Sequence, residues 1–231
     1  MSPDQILLGL VAYVVLLLSL TMHEAAHAWA ALRGGDPTAY QGGQVSLDPR
    51  PHIKRQPIGM VFAPLLFWFM GGWMLGWAST PIDPRWAHVY PRRAAAMSAA
   101  GPLANLALVL LAAAALRLGV AAGWFVPVPL GLFELAVAPA GGVAESVILV
   151  LSLIFSMNLI LFVFNLIPVP PLDGASAIGL LLSDETGRRL QQWMAQPMLA
   201  WGGLLVAWFL MRRIVGPVLG FAVDLLYVGA R

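Results

Sequence analysis

From about Ala94 to Leu116 the chain carries no charged side chain, and from about Ala144 to Ile167 it carries one, Glu145. At about 1.5 Å per residue, either stretch wound into a helix matches a hydrocarbon core of about 30 Å. Such segments have no stable place in a small water-soluble domain. The balance of residues agrees: 60% are hydrophobic and 10% charged, against roughly 45–50% and about 25% in soluble domains. The chain therefore reads as a multi-span protein of the cell membrane, with the lipid bilayer as its solvent. Its basic residues are too dispersed for a nucleic-acid surface. With no cysteine, any metal must be held by His, Asp or Glu.

A third apolar run, Ile6 to Leu20, precedes Ala26-His27-Ala28, which resembles a small-residue cleavage site. A signal peptide would place Lys or Arg before the run, and the chain has Asp4 there instead. The expected element is a retained helix from about Gln5 to Leu32, stopped by Gly34-Gly35 and Asp36-Pro37. Residues 36–56 are polar and turn-rich, with an alternating Gln44-Val45-Ser46-Leu47 that predicts a short exposed strand. Pro57 to Ala78 is apolar but broken by Pro64 and Gly71-Gly72, and 119–142 reads as a Gly/Pro-rich loop. Met198–Leu210 and Ile214–Val228 are each short for a span, so 197–229 reads as one broken span or two.

The chemistry starts at His23-Glu24-Ala25-Ala26-His27, at the far end of the first apolar run. Histidines at i and i+4 share a helical face and can reach one metal ion, while Glu24 can handle the proton of a bound water. With only four histidines in the chain, this pattern would arise by chance in about one sequence in a thousand. Ionisable groups inside a span are also costly, about 2.5–3.5 kcal/mol each on insertion scales. A catalytic zinc usually takes three protein ligands. His52, His88 and Asp173 are the candidates for the third. Asp173 ends a span in Asn165-Leu166-Ile167-Pro168-Val169-Pro170-Pro171-Leu172-Asp173-Gly174, where the prolines force an irregular exit suited to a metal site.

HEAAH, then Gly101-Pro102-Leu103-Ala104-Asn105, then NLIPVPPLDG resembles the site-2 protease family of intramembrane zinc metalloproteases in residues, order and spans. The resemblance covers roughly 5–182 and is closest to short forms without PDZ or CBS domains. It implies one zinc held by His23, His27 and Asp173, Glu24 as catalytic acid/base, and Asn165 as a polar helper near the scissile carbonyl. Its implied partners are transmembrane protein or peptide substrates. Lys54-Arg55-Gln56-Pro57 departs from the family pattern, which has an acidic residue before the proline.

Threading follows from parity. His23 and Asp173 each end an apolar run and can share a metal only if those runs are parallel, which requires an odd number of crossings between them. The broken segment 57–78 is therefore expected to be re-entrant. That threading places Arg33, Arg50, Lys54, Arg55, Arg85, Arg92, Arg93, Arg188 and Arg189 on one side against Arg117, whereas a full crossing would divide them evenly. The positive-inside tendency then puts the active-site end at the cytoplasmic face. An extra crossing by 119–142 would also repair the parity.

The expected architecture is an all-α polytopic membrane helix bundle with a re-entrant segment and a short β-hairpin-like connector. It forms one domain over 1–231, with a catalytic core over about 5–182. Trp73, Trp77 and Trp86 read as interfacial anchors, Gly101, Ala104 and Asn105 as helix-contact residues, and His52 and His88 as interfacial. The competing functions are a catalytically silent metal-binding protein and a metal transporter. A transporter would string its ionisable groups along a path, whereas here they cluster. A di-iron oxygenase needs more histidines than the chain has.

Overall fold

A computed structural model describes residues 2–72, 74–128, 133–139 and 141–229. The first helix, α1 (Pro3–Gly34), is longer at both ends than its apolar run. Ser2 and Gln5 close a reciprocal cap at its start, and Gly35 ends it in the left-handed region (φ 99°). At 32 residues it is longer than a hydrocarbon core needs, and HEAAH lies in its C-terminal half.

Short helices α2 (Thr38–Gln41) and α3 (Pro49–Arg55) fill the connector. The expected strand Gln44–Leu47 does not form. Local side-chain bonds outcompete it: Ser46 Oγ accepts from the Asp48 N–H, Asp48 caps α3 through the Arg50 N–H, and His52 donates to the Ser46 carbonyl. The same Asp-Pro-Arg tripeptide recurs at Asp83 and starts α5 (Pro84–Val89) in the same way.

Between these helices, a π-helical turn (Ile58–Phe62) leads into α4 (Ala63–Gly71), which stops at Gly72 with φ 70°. The chain then comes back in extended form, and the Trp77 N–H donates to the Gly59 carbonyl at 3.1 Å. The described residues of 57–78 therefore fold back on themselves, as the expected re-entrant course does. Trp73 lies outside the described residues. Trp86 is not an interfacial anchor: it is buried, and its indole N–H donates to the Gly34 carbonyl at the end of α1.

The remaining long helices are α6 (Pro91–Ala121), α7 (Val143–Leu166) and α10 (Pro197–Leu226), which with α1 make four long enough and apolar enough to cross a membrane. The C-terminal apolar pieces are thus one continuous helix. The described residues between α6 and α7 form no spanning helix. They hold the one strand pair among the described residues, β1 (Val126–Pro127) with β2 (Ala136–Val137), so the hairpin lies here and not in the 36–56 connector. It closes the far end of the bundle, where Phe125, Leu135 and Ala136 pack with Leu116, Ile148 and Leu226. At the opposite end, α8 (Asp173–Ala177), a 3-10 turn (Ile178–Leu181) and α9 (Asp184–Met194) follow α7. α1, α6 and α7 therefore form the inner core, and α10 leans on its outside.

Candidate active site

α1 holds His23 and His27 one turn apart, and the proline-broken exit of α7 brings Asp173 onto them. Asp173 Oδ2 lies 3.0 Å from His23 Nε2 and 3.3 Å from His27 Nε2, and the two Nε2 atoms are 3.0 Å apart. Gly174 permits this approach: a Cβ there would overlap the carbonyl of Leu166. His23 and His27 are each 5% exposed.

What each imidazole presents to this point is set from behind. His27 Nδ1 faces the carbonyl of Met97 at 2.7 Å, a group that only accepts, so it must be the protonated nitrogen. For His23 the direction is relayed through a buried chain. Ser19 Oγ donates to the Val15 carbonyl and accepts from Asn158 Nδ2, which also donates to the Ile154 carbonyl. Asn158 Oδ1 is then the acceptor for Asn105 Nδ2 at 2.8 Å, which leaves Asn105 Oδ1 to accept from His23 Nδ1–H at 2.6 Å. Both Nε2 lone pairs therefore point at the Asp173 carboxylate. Three electron-rich atoms converging in a buried space fit a cation, and the partners on the far ring nitrogens are the support that metal-bound histidines require.

The space itself points the same way. A methyl group added at Gly101 of α6 would stand 2.5 Å from His23 Nε2 and closer still to His27 Nε2. Zinc–nitrogen bonds are about 2.0–2.1 Å, so the glycine leaves open the volume that a zinc ion needs. The reading of Gly101 and Asn105 as helix-packing residues is thus incomplete, because both face the histidines. The sequence signal was there: a small residue and an amide four apart on a helix, both facing one helix partner.

Glu24 is buried and stands apart from the three converging atoms. Its Oε2 accepts from Thr80 Oγ1 at 2.7 Å, and the same hydroxyl lies 3.0 Å from the Glu24 carbonyl. Thr80 lies on the extended return of the re-entrant segment, which is anchored by Gln56 Nε2 to Ser79 Oγ (2.8 Å) and by Asp36, whose carboxylate accepts from the Asp83 N–H. Thr80 carries no signal in the sequence, since only the fold-back brings it to α1.

The remaining candidates lie elsewhere. Asn165, near the end of α7, is half-buried and donates to its own helix at the Leu161 carbonyl (3.0 Å), with no hydrogen bond to the histidines or Asp173. His52 is buried, not interfacial, and bonds to Ser46; His88 is exposed. Neither belongs to the cluster.

A family model, Peptidase family M50, matches residues 11–209. The chain belongs to peptidase family M50. It is similar to "Putative zinc metalloprotease YwhC" of Bacillus subtilis, 36% identical over 191 residues, covering 80% of this chain and 76% of that protein. It is similar also to "Putative zinc metalloprotease Rip2" of Mycobacterium tuberculosis, 36% identical over 174 residues, covering 75% of this chain and 58% of that protein. No solved structure matches it significantly. As an M50 peptidase of site-2 protease type and multi-span architecture, the protein is a zinc metalloprotease of the membrane.

Asn105→Leu tests the relay. It keeps the bulk but removes the acceptor for His23 Nδ1–H and orphans Asn158 Oδ1. Zinc affinity is expected to fall about 10–100-fold, as measured by competition with a chelator. Unchanged affinity would show that His23 is oriented by other means.

Proposed function

We propose that this M50 peptidase hydrolyses peptide bonds within or near transmembrane segments of other membrane proteins, with zinc held by His23, His27 and Asp173. The observation that carries this reading is the place of the cluster on helices long and apolar enough to span a membrane. Its histidines sit on a spanning helix and its third member follows the end of another, so the scissile bond must come to the site at the level of the bilayer. Zinc, when bound, supplies Lewis acidity that polarises the scissile carbonyl and acidifies water. Glu24 takes the proton of the attacking water and returns it to the leaving amine. Thr80 holds the Glu24 carboxylate in one rotamer for both transfers. Asn165 serves as a polar group toward the scissile carbonyl through the second N–H of Nδ2, the first being donated to the Leu161 carbonyl.

A substrate helix keeps its carbonyls in internal hydrogen bonds and must unwind before hydrolysis. The strand at Gln44–Leu47 that could have received it is missing. The extended stretch at 78–82 is better placed: it adjoins Glu24 through Thr80, and neither Thr80 nor Ile82 makes a backbone–backbone hydrogen bond among the described residues. An unwound segment can add along it.

Asp173→Ala tests the ligand set. Purified protein should lose most of its zinc by elemental analysis, and with it cleavage of a transmembrane peptide in proteoliposomes. Full zinc retention would remove Asp173 from the ligands.

The active-site end is proposed to face the cytoplasm. In the naturally cysteine-free chain, single cysteines at the exposed positions Arg50, Arg85 and Trp124 report on it. A membrane-impermeant thiol reagent applied to intact cells should label position 124 alone. Labelling at 50 and 85 with 124 protected would invert the orientation, and labelling at 85 without 50 would contradict the re-entrant course.

A further inference from the structure

α10 presents an outward face that the bundle does not use. At 100° per residue, Gly202, Phe209, Arg213, Gly216 and Gly220 fall within an arc of about 60°, with Arg212 about 40° outside it. All six are exposed, and the five within the arc lie opposite Met211, which packs with Ile167 and Leu172. A Cβ added at Gly202, Gly216 or Gly220 would meet nothing within 4 Å. Arg212 and Arg213 make no hydrogen bond or ion pair among the described residues.

The arginines are not at a helix end. About 22 Å of α10 precedes Arg212 and about 20 Å follows Arg213 at 1.5 Å per residue. Their neighbour Met211 is level with the segment that leads to Asp173, while Leu226 and Tyr227 reach the far end of the bundle beside Leu116 and Leu135. Two guanidinium groups on the outer face of a spanning helix are costly, and an anionic partner at their depth stabilises them. Asp224 is three turns away along α10, about 17 Å, too far to supply one.

We infer that this face of α10 docks a transmembrane helix of another protein that carries an Asp or Glu at the depth of Arg212 and Arg213. The charge fixes the chemistry of the partner, since a guanidinium pair is matched by a carboxylate through paired N–H donors. The glycines fix its shape. Gly216 and Gly220 each weaken an exposed helix relative to alanine, and their spacing gives a flat surface on which a second helix backbone approaches closely. A lipid headgroup would use the charges but has no use for that surface. A second copy of this chain, related by a twofold axis along the membrane normal, would set Arg212 and Arg213 against their own equivalents at one depth, cation on cation. The docked helix is also not the segment being cut, because the full width of α10, about 10 Å, separates it from Leu172 and Asp173. The inference therefore holds whatever the protein hydrolyses.

The test uses the full chain in phosphatidylcholine vesicles, labelled with a fluorescent donor through Val228→Cys. The probe is a leucine-alanine transmembrane peptide with an acceptor dye and a single Asp, Asn or Leu at its centre. The Asp peptide should associate at least about tenfold more strongly than the Leu peptide. Arg212→Leu/Arg213→Leu should abolish that preference, and Gly216→Ile/Gly220→Ile should weaken Asp-peptide binding although both arginines remain. Zinc content of each variant, expected to be unchanged, confirms the fold. Equal association of all three peptides overturns the inference, and so does a preference that survives the glycine variant. Loss of the preference when phosphatidylglycerol is added, together with Arg-dependent binding of that lipid, would reassign the face to a lipid headgroup. Arginine-dependent energy transfer between two labelled copies would reassign it to self-association.

Discussion

Glu24→Gln is expected to keep its zinc and lose at least about 10²-fold in proteolysis, the scale of a positioned general base. The substitution is nearly isosteric, and the amide oxygen can still accept from Thr80 Oγ1, so the pocket keeps its shape. The three converging atoms that could hold the metal come from His23, His27 and Asp173, and Glu24 contributes none of them. Binding and catalysis should therefore separate: wild-type zinc by elemental analysis, and almost no cleavage of a transmembrane peptide. A parallel loss of zinc would make Glu24 a ligand or a folding determinant. Thr80→Val sharpens the comparison. It leaves the carboxylate in place but frees its rotamer, so activity should fall by less than in Glu24→Gln with zinc intact.

The sequence and the structure divide along a physical line. Residues whose placement depends on spacing along one helix were legible, because helical periodicity alone puts His23 and His27 on one face. The re-entrant course of 57–78 was legible too, since it follows from parity and the breaks at Pro64 and Gly71-Gly72. What was not legible depends on side chains meeting across helices. Asn105 read as a helix-contact residue, and nothing singles out Asn158 until α6 and α7 are docked. They then form a relay whose polarity is fixed from the Val15 carbonyl to His23. The strand expected at Gln44–Leu47 failed for the opposite reason. Its alternation is a weak, local signal, and Ser46, Asp48 and His52 supply stronger local bonds that curl the same residues into turns. For α10, two short apolar pieces joined across Arg212 and Arg213 looked like a break. A helix tolerates the pair because its backbone bonds are internal, and the charges are left to be satisfied from outside.

The second large effect concerns a residue with no side chain. Gly101→Ala should remove most of the bound zinc while leaving the bundle folded. The added methyl would occupy the space between His23 Nε2 and His27 Nε2, at a distance suited to a bonded metal and not to a carbon. Relief by turning the imidazoles is expensive. His27 would have to give up the Met97 carbonyl, and His23 would have to leave Asn105 Oδ1, stranding buried groups at about 1–3 kcal/mol each. Since Ala favours a helix over Gly by about 1 kcal/mol, α6 itself should not suffer, and helical content by circular dichroism should match wild type. Gly202→Ala is the control: its added methyl meets nothing, and zinc and activity should both stay at wild-type levels. If Gly101→Ala retained full zinc, the ion would have to sit away from the point where the three side chains converge, and the ligand set would need to be drawn again from Asp173 outward.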